Sequence, residues 1–389
     1  MTAGPRDLAL ITGATGFIGG RIVELLAARG VRLRAVTSDF RHCSRIARFP
    51  LQLVKADLRD PVSFALSAAG CTAVVHAAHR FDGDKAEQTS VNVSGTRALA
   101  EAALTAGVRN FVHLSSVAVY GPPGDRDISE GSPVVRCPDA YTSAKQAVEE
   151  TLTELHRTRG LPLTILQPTI VYGPFGGAWT TRLIAQIKNH RFILPCRGEG
   201  VCNAVYVDDV AAAVMLALSV PAPRGQRYLV SGPAPVTWRE FYGAYEQMMD
   251  RSTVAPVDDA GYREEERQLR LAHSWSRQMR SFLGRRPALR NRFLDLPPQR
   301  WLLRCARAVL PASLQSTIAR RYAQLWQLPP EPPLPALLPD PGNHALFSAR
   351  QRVQIDRIRN ELGYAPAYDL AAGMKLTAAW ARWAHLLET

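Results

Sequence analysis

The chain lacks any paired spacing among its cysteines. The six, Cys43, Cys71, Cys137, Cys196, Cys202 and Cys305, include no Cys-x-x-Cys spacing. Neither a disulfide framework nor a contiguous cysteine metal motif is expected, and a reducing, cytoplasmic setting fits. Long apolar runs are also missing: the longest, Val210 to Val220, is too short to cross a bilayer and ends at Pro221. No targeting segment is expected, since an apolar stretch already opens at Leu8, and no internal repeat is visible. Lysine is absent between Arg263 and Arg321, where 14 arginines face 4 acids, so this stretch carries +10 of the chain's net charge of +13. What remains is ordinary for a globular protein: 389 residues, 47% hydrophobic and 21% charged, enough for a sizeable core and more than one typical domain.

The apolar stretch Leu8 to Ile11 feeds directly into Gly13-Ala14-Thr15-Gly16-Phe17-Ile18-Gly19, and an amphipathic run to Arg29 follows. A strand therefore enters a helix through a glycine-rich turn. Gly13 allows a backbone angle that a Cβ would forbid, Gly16 lets a pyrophosphate approach the main chain, and Gly19 lets the helix pack close to the sheet. The unpaired amides and positive dipole end of that helix suit phosphate.

Further on, Tyr141-Thr142-Ser143-Ala144-Lys145 sets a phenol and an ammonium one helical turn apart, on one face of a helix expected to run to about Arg159. A phenol is a poor base at neutral pH, and a fixed lysine charge favours its ionised form. Ser115 and Ser116 end another apolar strand, Asn110 to Leu114, within reach of holding a substrate oxygen.

With these motifs the chain resembles the extended short-chain dehydrogenase/reductase family, which includes nucleotide-sugar epimerases, 3β-hydroxysteroid dehydrogenases and dihydroflavonol-type ketone reductases. Further matches follow in the family's order: Ala56-Asp57-Leu58, Val75-His76-Ala77-Ala78, Val91 to Thr96, Leu114 to Gly121, Gln167 to Pro174, Val205 to Val210 and Leu362 to Pro366. The resemblance implies roles. Tyr141 would be the general acid/base, Lys145 would bind the nicotinamide ribose and lower the pKa of Tyr141, and Ser116 would hydrogen-bond the reacting oxygen. Gly13, Thr15, Gly16, Phe17, Ile18 and Gly19 would hold the pyrophosphate, Asp57 and Leu58 the adenine, and Ala77 and Ala78 would line the cofactor. Asn92 would support an active-site water network, and Pro168 would begin the loop over the nicotinamide. His76 and His79 would lie beside the cofactor, so no metal is expected there.

Three departures bear on subclass. Val117 and Ala118 stand where family dehydratases carry an Asp-Glu pair and the related decarboxylases a Glu, which disfavours elimination chemistry. Thr37 occupies the strand end where NAD-specific members place an acid, with Ser38, Asp39, Arg41 and Arg45 following. The missing acid and the arginines favour NADP over NAD, with Asp39 reaching the ribose as the alternative. Gln167 replaces an arginine that many members have.

Apolar strands near 8–12, 32–37, 51–56, 72–78, 110–115 and 162–167 alternate with helical runs. The expected fold is α/β, a Rossmann-type doubly wound parallel sheet with a smaller, mostly helical C-terminal substrate region. The dinucleotide-binding domain would span 1–170 and the substrate region 171–389, returning to the sheet around 204–232 and carrying an arginine-rich helical insertion at about 255–345. Helices are expected at 179–188, 208–219, near 350–361 and from Asp369. Asp208 and Asp209 read as a cap for the helix they open. Within the insertion, Arg300, Arg304 and Arg307 fall on one helical face opposite Leu303, Ala306 and Leu310, which reads as a lid with a solvated basic side or as a contact for an anionic substrate or a peripheral membrane surface. Leu328 to Pro341, with seven prolines in fourteen residues, reads as an extended connector.

The expected activity is NAD(P)-dependent hydride transfer between the cofactor and a secondary alcohol or ketone of a fairly large small-molecule substrate. Nucleotide-sugar epimerisation at the same Ser116, Tyr141 and Lys145 is the alternative, and a cofactor-sensing scaffold a third reading. No nucleic-acid partner is expected, and a homodimer is compatible with the sequence.

Overall fold

The computed structural model describes residues 7–219, 225–272, 334–339 and 341–387. Its first six strands, β1 (Leu8–Thr12), β2 (Arg32–Thr37), β3 (Leu51–Lys55), β4 (Ala73–His76), β5 (Asn110–Leu114) and β6 (Leu163–Pro168), match the six apolar runs to within a few residues. Between them lie α1 (Phe17–Ala28), α2 (Pro61–Leu66), α3 (Lys85–Thr105) and α4 (Ala140–Arg159). Beyond β6 come β7 (Ile170–Tyr172), α5 (Arg182–Asn189), β8 (Arg191–Leu194), β9 (Val201–Cys202), β10 (Ala204–Tyr206), α6 (Val207–Ser219) and β11 (Gln226–Val230), which rejoins the sheet. The sheet is parallel throughout, in the order β3-β2-β1-β4-β5-β6-β11.

A parallel sheet covered on both faces needs strands apolar on both sides, and β1, β4 and β6 are buried along their whole length. One layer packs Ile22, Val23 and Leu26 of α1 with Val210, Val214 and Ala217 of α6. The other packs Leu99 and Ala103 of α3 with Val148 and Leu152 of α4. The smaller lobe adds β12 (Val236–Thr237), α7 (Trp238–Met249), β13 (Val254–Pro256), α8 (Asp259–Ala272), β14 (Ala336–Leu337), α9 (Pro341–Ser348), α10 (Asp356–Leu362) and α11 (Leu370–Trp383). Its core is aromatic: Trp238, Phe241, Tyr242 and Tyr245 meet Tyr172, Phe192 and Phe347.

Several expectations for the chain beyond β6 need correction. The helix near 350–361 is confined to α10, because Ile128 captures the preceding backbone by accepting from Gln354 N at 2.8 Å and donating to Arg352 O at 2.8 Å. The helix expected from Trp179 opens with a π turn, Gly177–Thr181. Asp208 and Asp209 sit in the first turn of α6 but bond elsewhere. Asp208 accepts two hydrogen bonds from Arg21 at 2.6 and 2.7 Å, tying α6 to α1. Asp209 accepts from the amides of Ala367 and Tyr368 at 2.8 and 3.2 Å. Within the proline-rich connector, β14 pairs in parallel with β8. Arg300, Arg304 and Arg307 lie outside the described residues, as does most of the insertion. Among the described residues no helix is long and apolar enough to cross a membrane.

Candidate active site

Strand order reverses at β1, whose neighbours β2 and β4 lead away in opposite directions, and ligands of doubly wound sheets bind beyond the carboxyl ends of the strands at that point. A cleft of about 580 Å³ opens there. Its floor is the turn between β1 and α1. Gly13 has φ +67°, and a Cβ on it would come within 2.7 Å of the Ala77 carbonyl carbon, so only glycine lets these two loops touch. The turn thus forms a cradle in which a dinucleotide pyrophosphate can approach bare main chain at the start of α1. Thr15, Gly16, Phe17, Ile18, Gly19, Thr37, Asp57, Leu58, Ala77 and Ala78 all line the cleft.

At the other end of the cleft stand Tyr141 and Lys145. The side chain of Asp139 accepts from Thr142 N at 2.8 Å and caps α4, which places both residues in its first two turns. Lys145 is buried, donates to the Leu114 carbonyl at 2.8 Å and lies 6.0 Å from the centre of the Tyr141 ring. Burial lowers its pKa to about 8, against an upward pull from Glu149. For Tyr141 burial wins in the other direction: it raises the phenol pKa, while a hydrogen bond with Ser116 pulls it down. The expected lowering by Lys145 is therefore not the dominant influence in this geometry. Ser116 also accepts from Ala118 N at 3.2 Å, which orients its hydroxyl.

Four residues assigned to the reaction or the cofactor do not line the cleft. Ser116 reaches it through Tyr141. Asn92 is buried and accepts from Arg80 N at 2.9 Å while donating to Arg80 O at 3.0 Å and Gln88 O at 2.8 Å, so it fixes the loop after β4. Pro168 ends β6. Arg41 is exposed and pairs with Asp39, whose pKa falls to about 2 through its side-chain and backbone hydrogen bonds with Arg41. Arg45, offered with Arg41 as a phosphate ligand, is committed elsewhere: it binds Glu24 at 2.8 and 3.2 Å and the Phe17 carbonyl at 3.1 Å, and lies 4.1 Å over the Phe175 ring.

Other functional candidates follow directly on His76-Ala77-Ala78. Phe81 stacks on Tyr141 with centroids 5.8 Å apart and planes 9° apart, and His79 meets both rings edge-on. His79 has a buried Nε2 without a hydrogen-bond partner, and burial and Lys145 push its pKa down to about 3. A neutral imidazole and an exposed phenyl ring thus flank the phenol. His76 is bonded through both ring nitrogens, to Thr12 and Thr96, each at 2.8 Å, and has no site left for an ion. Gln167 accepts from Tyr120 at 2.8 Å and donates to the buried Glu149 at 2.9 Å, which also pairs with Arg227. This polar network supports α4 behind Lys145, and its members are too scattered in sequence to be read as a group.

A parallel sheet with a glycine cradle at its switch point and a Tyr-Lys helix beside a serine-tipped strand defines an enzyme of the extended short-chain dehydrogenase/reductase type. The chain belongs to the NAD dependent epimerase/dehydratase family, which its residues 9–231 match. It is 34% identical over 231 residues to "Sterol demethylase protein B" of Methylococcus capsulatus, covering 57% of this chain and 69% of that protein. It is 33% identical over 255 residues to a "UDP-glucose 4-epimerase" of Mycolicibacterium smegmatis, covering 60% and 80%. In fold it is similar to the dTDP-glucose 4,6-dehydratase DesIV of Streptomyces venezuelae, solved with NAD bound, with a TM-score of 0.67, 21% identity and 97% of each chain covered.

Proposed function

We propose that the chain catalyses reversible hydride transfer between a nicotinamide dinucleotide and a secondary alcohol or ketone on a large, mainly apolar small molecule. The observation that carries this reading is the phenol of Tyr141 beside a buried lysine and under the stacked ring of Phe81, at the end of the cleft that opens from the glycine turn. Tyr141 moves the proton at the substrate oxygen and Ser116 orients that oxygen. Lys145 keeps ammonium donors for the ribose hydroxyls and a positive charge near the phenolate. The cofactor, when bound, supplies or takes the hydride. Phe81 and His79 give the substrate an aromatic, uncharged wall, and a relative named for sterol demethylation supports an apolar ligand.

The cofactor we assign is NAD. The expectation of NADP rested on two arginines, of which Arg45 is tied to Glu24 and Arg41 is already neutralised by Asp39. A 2′-phosphate would have to displace that carboxylate and meet its repulsion. Membership of an NAD dependent family supports the same choice.

Epimerisation is the second reading, favoured by the match to a UDP-glucose 4-epimerase and by its use of the same three side chains. One experiment separates them: nicotinamide absorbance is followed with NADH and NADPH over a panel of cyclic apolar ketones and alcohols, alongside an epimer-resolving assay on UDP-glucose. Net oxidation of NADH with an apolar ketone is the expected result. Sugar epimerisation without net cofactor turnover would replace this reading, and tighter NADPH than NADH binding would reverse the cofactor assignment.

A further inference from the structure

Three side chains outside the cofactor cleft converge in the smaller lobe. Cys196, in the loop after β8, Asp259, the first residue of α8, and His344, in α9, place one donor atom each within 4.8 Å of one another. None of them lines the cofactor cleft. The segments that bring them together are fixed by backbone hydrogen bonds: Val257 N to Leu194 O at 2.9 Å, Arg197 N to Val257 O at 2.8 Å and Val201 N to Ala349 O at 2.7 Å. The His344 ring is set by an edge contact with Tyr262, centroids 5.0 Å apart.

The geometry suits a four-coordinate cation. The Cys196 sulfur stands 3.7 Å from Oδ1 of Asp259. With metal–sulfur and metal–oxygen bonds of about 2.3 and 2.0 Å at a tetrahedral angle, sulfur and oxygen lie about 3.5 Å apart, so this edge is close to its coordinated length. Cys196 and Arg197 both hold positive φ, +52° and +54°. Side-chain-bearing residues take that conformation at a cost, and here it directs the thiol at α8. Burial and the Asp259 carboxylate raise the thiol pKa in the metal-free arrangement. A divalent cation reverses this logic, displacing the thiol proton to solvent and turning the carboxylate from a hindrance into a ligand. A thiolate, an imidazole and a carboxylate together favour zinc over magnesium or calcium, which take oxygen donors. An open cleft alongside, lined in part by Glu199, Asp258 and Arg350, leaves room for water as the fourth ligand.

We propose that Cys196, Asp259 and His344 form a zinc site that fastens the base of the arginine-rich insertion to the body of the enzyme. The site's place in the chain supports that structural role: α8 leads into residues 273–333 and α9 follows them, while Cys196 belongs to the Pro195–Gly198 loop that both helices meet. Spacings of 63 and 85 residues between consecutive ligands, set by positions 196, 259 and 344, match no contiguous motif, so the expectation of no metal could not have tested this combination.

The test uses the full-length chain free of any histidine tag. Zinc titrated against a chromogenic chelator is expected to bind as a single equivalent, and cobalt in its place to give a thiolate charge-transfer band with the strong visible absorption of a tetrahedral site. Zinc should also slow alkylation of Cys196, followed by peptide mass spectrometry, by about tenfold or more. Cys196→Ser and His344→Gln should each weaken zinc by about 100-fold while leaving NADH binding intact. A wild-type cobalt spectrum without the thiolate band, alkylation of Cys196 indifferent to zinc, or a Cys196→Ser protein that binds zinc as tightly as wild type would overturn the proposal. Should the variants fail to fold, the cobalt spectrum and the alkylation rate of the wild-type protein decide it.

Discussion

Tyr141 is a weaker acid in this fold than in water, because burial beside Phe81 and His79 outweighs its hydrogen bond with Ser116. Its proton is therefore held at neutral pH, as a ketone reduction requires of its acid. Tyr141→Phe removes one hydroxyl and keeps the ring stack, so turnover should fall by about 10²- to 10⁴-fold while NADH still binds, as fluorescence titration of the folded variant would show. Near-normal turnover would remove the phenol from the mechanism. Lys145→Met should both weaken NADH binding and move the apparent pKa of the pH–rate profile upward, since the buried ammonium supplies ribose donors and favours the phenolate; a change in neither would make the pair structural. These two residues were legible in the sequence because helical spacing alone puts them on one face. His79 was placed beside the cofactor, but its edge contact with Tyr141 and the stack of Phe81 were not legible: nothing in a short run after β4 says that its backbone is pinned through Arg80 to Asn92.

Elements were legible where one local signal decided them. The central strands β1, β4 and β6 are buried on both faces, and the glycine turn, the Asp139 cap and Gly160 at φ +74° bound the helices that matter to the site. Expectations failed where a distant partner took over the backbone or the side chain. Residues just before α10 carry helix-compatible side chains, yet Ile128 holds them in an isolated β-bridge at Val353. Asp209 sits in the first turn of α6, yet its carboxylate receives the amides of Ala367 and Tyr368 from the far end of the chain. Asp209→Ala should therefore act on the C-terminal segment more than on α6. Two amides lose a buried acceptor, a cost of about 2 kcal/mol or more in urea unfolding, and amide exchange should quicken across residues 364–387. Exchange that quickens in α6 alone would restore the capping reading.

For the whole molecule, three neutral imidazoles, His76 and His113 in the central strands β4 and β5 and His79 in the loop after β4, make stability depend on pH. His76 and His79 have pKa values lowered to about 3, and His113 is also well below its ordinary value, in each case chiefly by burial with Lys145 adding to it. An unfolded histidine titrates near 6.5, so between about pH 6.5 and 3 the unfolded chain binds protons that the fold refuses, and stability falls as pH falls through that window. Each such imidazole contributes up to about 1.4 kcal/mol per pH unit. Carboxylates released from ion pairs act mainly below about pH 4, so from pH 6.5 to 4.5 the histidines dominate. Protonation also adds charge to a chain already at +13, and that self-repulsion works in the same direction. The urea midpoint of the cofactor-free protein should accordingly drop steeply between pH 7 and pH 5. His113 supplies the control, because neither of its ring nitrogens has a well-formed hydrogen bond, so little is lost when it becomes apolar. His113→Leu should be neutral or stabilising by about 1 kcal/mol at pH 7, and its midpoint should fall less on acidification. A wild-type midpoint that is flat from pH 7 to 5, or a His113→Leu slope as steep as the parent's, would mean that these buried rings do not govern the acid limb.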